Sequence, residues 1–89
     1  MAKDKYEIDT NADYQKEFGK RLKKARENGG FSSASAFARA LKIEVATYRY
    51  YERGQREPPF SLFPEICRLT GASTDYLILA KGPLRKRGE

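Results

Sequence analysis

Apolar side chains recur along this chain at helical intervals, and no stretch alternates long enough to make a strand. Tyr14, Phe18, Leu22 and Ala25 lie four, four and three apart, which is one face of a first helix. Lys16, Lys20, Arg21, Lys23, Lys24 and Arg26 fall on its opposite, solvated face. Asn11 or Asp13 can cap its start, and Asn28-Gly29-Gly30 stops it. Ser33 suits the N-cap of a second helix, Ala34–Leu41, with Phe37, Ala38 and Leu41 facing inward. Beyond Lys42-Ile43-Glu44 the pattern predicts a third helix over Val45–Arg53. It buries Tyr48 and Tyr51, has Glu44 as a candidate cap among other roles open to that carboxylate, and ends at Gly54. A loop over 55–59 leads to a fourth helix over 61–70, with Leu62, Ile66 and Leu69 inward and Pro64 in its first turn. Gly71 ends it, Ser73 caps a fifth helix reaching Ala80, and Lys81-Gly82-Pro83 closes the pattern. The expected fold is all-α: five short helices joined by short loops.

Composition narrows the function. A length of 89 residues suits one domain, placed at 14–80. Residues 1–13 read as a mobile N-terminal arm and 81–89 as a basic C-terminal tail. The chain has no His and one Cys, which excludes a His-based acid/base site, a His- or thiolate-held metal and an internal disulfide. No cofactor is expected, no small-molecule ligand is evident, and Cys67 reads as a core residue on an apolar helix face. No apolar run is long enough for a membrane span or a signal core, so a cytoplasmic, soluble protein is expected. The net charge of +6 leans toward nucleic acid, and it is uneven: −2 in the arm, +5 in the domain and +3 in the tail.

The informative unit spans residues 33–53. A capped helix, a turn of about three residues and a second short helix make a helix-turn-helix. Ala38 falls where the two helices cross, and its small side chain permits close approach. Phe37, Leu41, Ile43, Tyr48 and Tyr51 hold the pair on the other helices, leaving Val45, Ala46, Arg49 and Tyr50 on one outward strip of the second. Such a strip is what this motif presents to the DNA major groove.

Four stretches in order carry a resemblance. They are Phe18-Gly19-Lys20-Arg21-Leu22-Lys23-Lys24-Ala25-Arg26, Ala36-Phe37-Ala38-Arg39-Ala40-Leu41, Tyr51-Glu52-Arg53-Gly54-Gln55-Arg56-Glu57-Pro58 and Leu69-Thr70-Gly71-Ala72-Ser73-Thr74-Asp75-Tyr76-Leu77-Ile78. Over residues 18–79 the chain resembles the Cro/C1-type helix-turn-helix regulators, also called the Xre family. The resemblance implies a compact five-helix, lambda-repressor-like DNA-binding domain. It also implies a homodimer on a palindromic operator in double-stranded DNA, acting on transcription in a bacterial or phage setting. Two positions depart from the family pattern. Lys42 stands where a turn Gly is usual, and Ala34 and Ser35 stand where a Gln often opens the second helix.

Residue by residue, Val45 and Ala46 suit a thymine methyl, and Arg49 suits guanine O6 and N7. Tyr50 faces the same side. Ser35, Thr47, Arg53 and Arg56 are placed toward the DNA backbone. Glu52 reads as structural, pairing with an arginine such as Arg39. A short helix cannot bury the consecutive Leu77, Ile78 and Leu79 together, so these three are candidates for a dimer interface. Two rival functions share the fold. One is an antitoxin-like or anti-repressor module that lacks specific DNA readout, and the other is a charge-driven, non-specific nucleic-acid binder. No paired carboxylates or phosphate-binding Gly loop suggest an enzyme.

Overall fold

The computed structural model describes residues 12–84. Five helices follow in order: α1 (Ala12–Asn28), α2 (Ala34–Leu41), α3 (Val45–Arg53), α4 (Phe63–Thr70) and α5 (Thr74–Leu79). No strand occurs among the described residues, so the all-α architecture holds. Asn11 lies outside the described residues, and Asp13 sits in the first turn of α1, where its charge suits the helix dipole.

Local chemistry sets the helix ends. The Ser33 hydroxyl accepts the Ala36 N–H at 3.0 Å and caps α2. Ser73 does the same for α5 through the Tyr76 N–H at 3.0 Å. Glu44 occupies the N-cap position of α3 with extended backbone, but its side chain bonds no amide, so the expected carboxylate cap is not made. Lys42 takes the left-handed conformation, φ 63° and ψ 41°. There the Ile43 N–H reaches the Ala38 carbonyl and the Lys42 N–H reaches that of Arg39, both at 3.0 Å, closing α2.

The fourth helix differs from its prediction. A single 3-10 turn, Phe60–Leu62, precedes α4. Pro64 has no N–H to give the Phe60 carbonyl, so an α-helix starting at 61 would lose its first bond. Instead the Phe63 N–H bonds the Phe60 carbonyl in the tighter pattern, and Pro64 enters α4 near its start. The fifth helix stops at Leu79, one residue early, because Ala80 turns left-handed at φ 58°.

The core joins one face of each helix. Leu22, Phe37, Ala38, Tyr48, Ile66 and Leu77 are fully buried, with Phe18, Ala25, Tyr51 and Ala72 nearly so. The Phe37 ring meets Tyr48 edge-on at 5.3 Å and Phe31 at 4.9 Å. Two glycines let α1 and the end of α3 touch backbone to backbone. A Cβ on Gly19 would stand 2.2 Å from the Glu52 carbonyl oxygen, and one on Gly54 would stand 2.6 Å from the Lys16 Cα. Gly54 also needs its φ of 76°.

Side chains of α1 bond the last carbonyls of α5. The Tyr14 hydroxyl donates to Ile78 at 2.7 Å, and Arg21 Nε donates to Leu77 at 3.0 Å. Beyond α5 the chain turns back: the Ser73 N–H bonds the Leu84 carbonyl at 2.7 Å, Ser73 Oγ donates to the Pro83 carbonyl, and Leu84 packs on the core.

Candidate nucleic-acid interface

The site is built outward from the α2–α3 hairpin. Ala38 is fully buried at the crossing, as the spacing predicts. Tyr48 and Tyr51 point into the core, which turns positions 46, 49, 50 and 53 outward on α3. Ala46, Arg49 and Arg53 are exposed, and Tyr50 is 37% exposed. Val45 is half-buried and packs against the core, so only part of its surface faces out. Ser35 and Thr47 are half-buried, and Arg56 is exposed in the loop after α3.

Three outward residues form one cluster. The Arg56 guanidinium lies 4.8 Å from the centre of the Tyr50 ring, and that of Arg53 lies 5.8 Å from it. The cation–π attraction holds two cations at the C-terminal end of α3. Arg49 precedes Arg53 by one helical turn.

Glu52 is the buried anchor behind this surface. Its Oε2 accepts from Arg26 Nε at 2.7 Å and from the Tyr48 hydroxyl at 2.5 Å. Arg26 Nη1 donates to the Phe31 carbonyl at 2.8 Å. The Arg26 side chain is 5% exposed and that of Glu52 is 13% exposed. Burial pulls the Arg26 guanidinium down, but the Glu52 hydrogen bond and charge outweigh it, so the net shift is upward and Arg26 stays charged. Burial, then the Glu52 hydrogen bond, pushes the Tyr48 phenol well above the ordinary tyrosine range. The network ties α1, α3 and the α1–α2 loop together.

Two sequence expectations are thereby corrected. The partner of Glu52 is Arg26, while Arg39 is exposed on α2. Arg26 and Arg21 do not belong to a solvated face of α1. Arg26 is buried, and Arg21 is drawn over the Tyr14 and Phe18 rings toward the α5 carbonyl. There is an electrostatic consequence. Because Glu52 turns inward onto Arg26, Glu44 is the one exposed carboxylate within residues 34–56, against exposed Arg39, Lys42, Arg49, Arg53 and Arg56.

The dimer candidates separate. Leu77 is fully buried and has no surface left for a partner, because α1 and the core cover it. Ile78 is half-buried, and Leu79 is 59% exposed. Cys67 is half-buried and packs against the core.

A hairpin of two short helices, with its second helix presenting a basic strip, defines a helix-turn-helix domain. A family model described as a helix-turn-helix domain matches residues 17–77. Two relatives come from Bacillus subtilis (strain 168). HTH-type transcriptional regulator ImmR is 38% identical over 71 residues, covering 80% of this chain and 54% of the relative. The SPbeta prophage-derived uncharacterized HTH-type transcriptional regulator YonR is 38% identical over 61 residues, covering 68% and 56%. The chain thus belongs to the Xre-type helix-turn-helix family. It spans just over half the length of these relatives, and no solved structure matches it. Among the described residues, no helix is long and apolar enough to cross a membrane.

Proposed function

We propose that this chain is a sequence-specific DNA-binding transcriptional regulator, a repressor that binds a palindromic operator as a homodimer in the cytoplasm. The observation that carries the reading is the outward strip of α3, where Ala46, Arg49 and the Tyr50–Arg53–Arg56 cluster are exposed and the cations outnumber the flanking acids Glu44 and Glu57. In this reading α3 lies in the major groove with its N-terminal half against base edges. Arg49 grips a guanine, while Val45, Ala46 and Tyr50 lie against the neighbouring bases. Ser35, Thr47, Arg53 and Arg56 meet the sugar–phosphate backbone and set the register. Ile78 and Leu79 contribute to contact between the two copies. That both relatives are named transcriptional regulators supports the assignment.

The test compares two arginine variants on a selected operator. Arg49→Ala should lose about 1–3 kcal/mol of discrimination at one base pair per half-site. Arg56→Ala should weaken all sequences alike and lower the slope of log K against log salt by about one per protomer. Base preference that survives Arg49→Ala unchanged would remove Arg49 from the reading.

A further inference from the structure

Arg56 is exposed, yet its backbone is held on both sides. Before it, the Gln55 N–H bonds the Tyr50 carbonyl at 2.9 Å. After it, Gln15 Nε2 of α1 donates to Glu57 Oε2 at 3.1 Å, and Pro58 is buried. What remains to be fixed is the long side chain, of a kind that loses much rotamer freedom when a contact orders it. The Tyr50 ring meets that side chain. Its centre lies 4.8 Å from the Arg56 guanidinium and 5.8 Å from that of Arg53, three residues on along α3. Neither guanidinium forms an ion pair or a side-chain hydrogen bond with another described residue.

We infer that Tyr50 is a positioning residue, whose ring holds the Arg56 guanidinium in place for a phosphate of the DNA backbone. A carboxylate neighbour would hold Arg56 as well, but it would neutralise the cation and occupy its N–H donors. An aromatic ring does neither, because it attracts the charge through its quadrupole. The carboxylate next in sequence, Glu57, is bonded by Gln15 instead. Arg56 thus keeps its full charge and its donors for an oxygen anion. A side chain ordered before binding loses less freedom in the complex, which strengthens the contact. The shorter distance gives Arg56 the larger share of the effect and Arg53 the smaller. This role acts through Arg56 and is separate from the base contact proposed for Tyr50.

The inference rests on the proposed contact of Arg56 with the DNA backbone. It is tested on a labelled pool of random-sequence duplexes, where preference for any one base averages out. Fluorescence anisotropy gives the Kd of the 89-residue chain and of four variants. Tyr50→Leu should bind about two- to fivefold more weakly per protomer, the range for an exposed cation–π contact. It keeps every charge, so the slope of log K against log salt should stay at the wild-type value. Tyr50→Phe keeps the ring and should bind as wild type does. In an Arg56→Ala background, adding Tyr50→Leu should cost at most about 1.5-fold more, because the residue it acts through is gone. Both positions are exposed, so all four variants should keep the wild-type helical circular-dichroism spectrum. The inference is overturned by Tyr50→Leu binding as tightly as wild type, by Tyr50→Phe binding as weakly as Tyr50→Leu, or by a Tyr50→Leu loss undiminished without Arg56. Each of those results leaves the Arg56 contact standing. Arg56→Ala binding the pool as tightly as wild type would sink the backbone contact itself, and this inference with it.

Discussion

Glu52→Ala removes a carboxylate that bonds both α1 and α3. It removes the acceptor for Arg26 and for Tyr48 together. Arg26, with its side chain 5% exposed, then keeps a buried charge with no close counter-ion but Glu27, whose oxygen is 3.9 Å away and half exposed. Breaking a buried pair from one side costs about 3–5 kcal/mol. A domain of this size has about 4–11 kcal/mol of stability in all. The loss is thus a large share of the total, and the melting temperature should fall by at least about 12 °C. Thermal unfolding followed by circular dichroism measures it. The same assay on Arg26→Met and on the double variant completes a cycle. Arg26→Met alone leaves a buried carboxylate facing the Tyr48 hydroxyl, so it too should be costly. The double variant should lose clearly less than the two singles together, with coupling of about 2 kcal/mol or more. A Glu52→Ala melt within about 4 °C of wild type, or strictly additive losses, would refute the claim that this pair holds α3 on α1.

Two backbone predictions follow from the same structure. Lys42→Gly should stabilise the domain by about 1 kcal/mol, because Lys42 is held at φ 63° where a Cβ is costly, and a lower melting temperature would count against that account. Gly19→Ala should destabilise it by about 1–3 kcal/mol or more, read as a drop in the urea midpoint. The added Cβ meets the Glu52 carbonyl oxygen at 2.2 Å, and an unchanged midpoint would mean that α1 and α3 are not in backbone contact.

The parts of this fold that were legible in the chain rest on local rules. Ser33, Gly54 and Ser73 end or begin helices through bonds that reach three or four residues, and a sequence displays such spacings directly. The inward and outward faces of α3 were legible for the same reason, since Tyr48 and Tyr51 share a side and Arg49 does not. What escaped depends on contacts distant in sequence. Arg26 sits on a basic strip of α1 by spacing alone, and only the crossing at Gly19 and Gly54 brings it to Glu52 of α3. A cue existed in Gly19, an exception to helix preference in mid-helix that signals close approach. The apolar groove walled by Tyr14, Phe18, Pro58, Phe63 and Ile78 is assembled from α1, the loop after α3, α4 and α5, so no single periodicity reveals it. Leu77, Ile78 and Leu79 show the boundary clearly. Helical geometry required one of the three to be exposed, but the packing of α1 against α5 decided that it is Leu79 and that Leu77 is core.

The outward strip of α3 is proposed to read a DNA sequence. Selection from a pool of random duplexes, repeated with Arg49→Ala, tests it most directly. The expected result is an enriched palindrome whose half-sites are about 34 Å apart, one turn of DNA, and which loses its preference at one base pair per half-site in the variant. A pool that shows no enrichment above background, or enrichment untouched by Arg49→Ala, would contradict it.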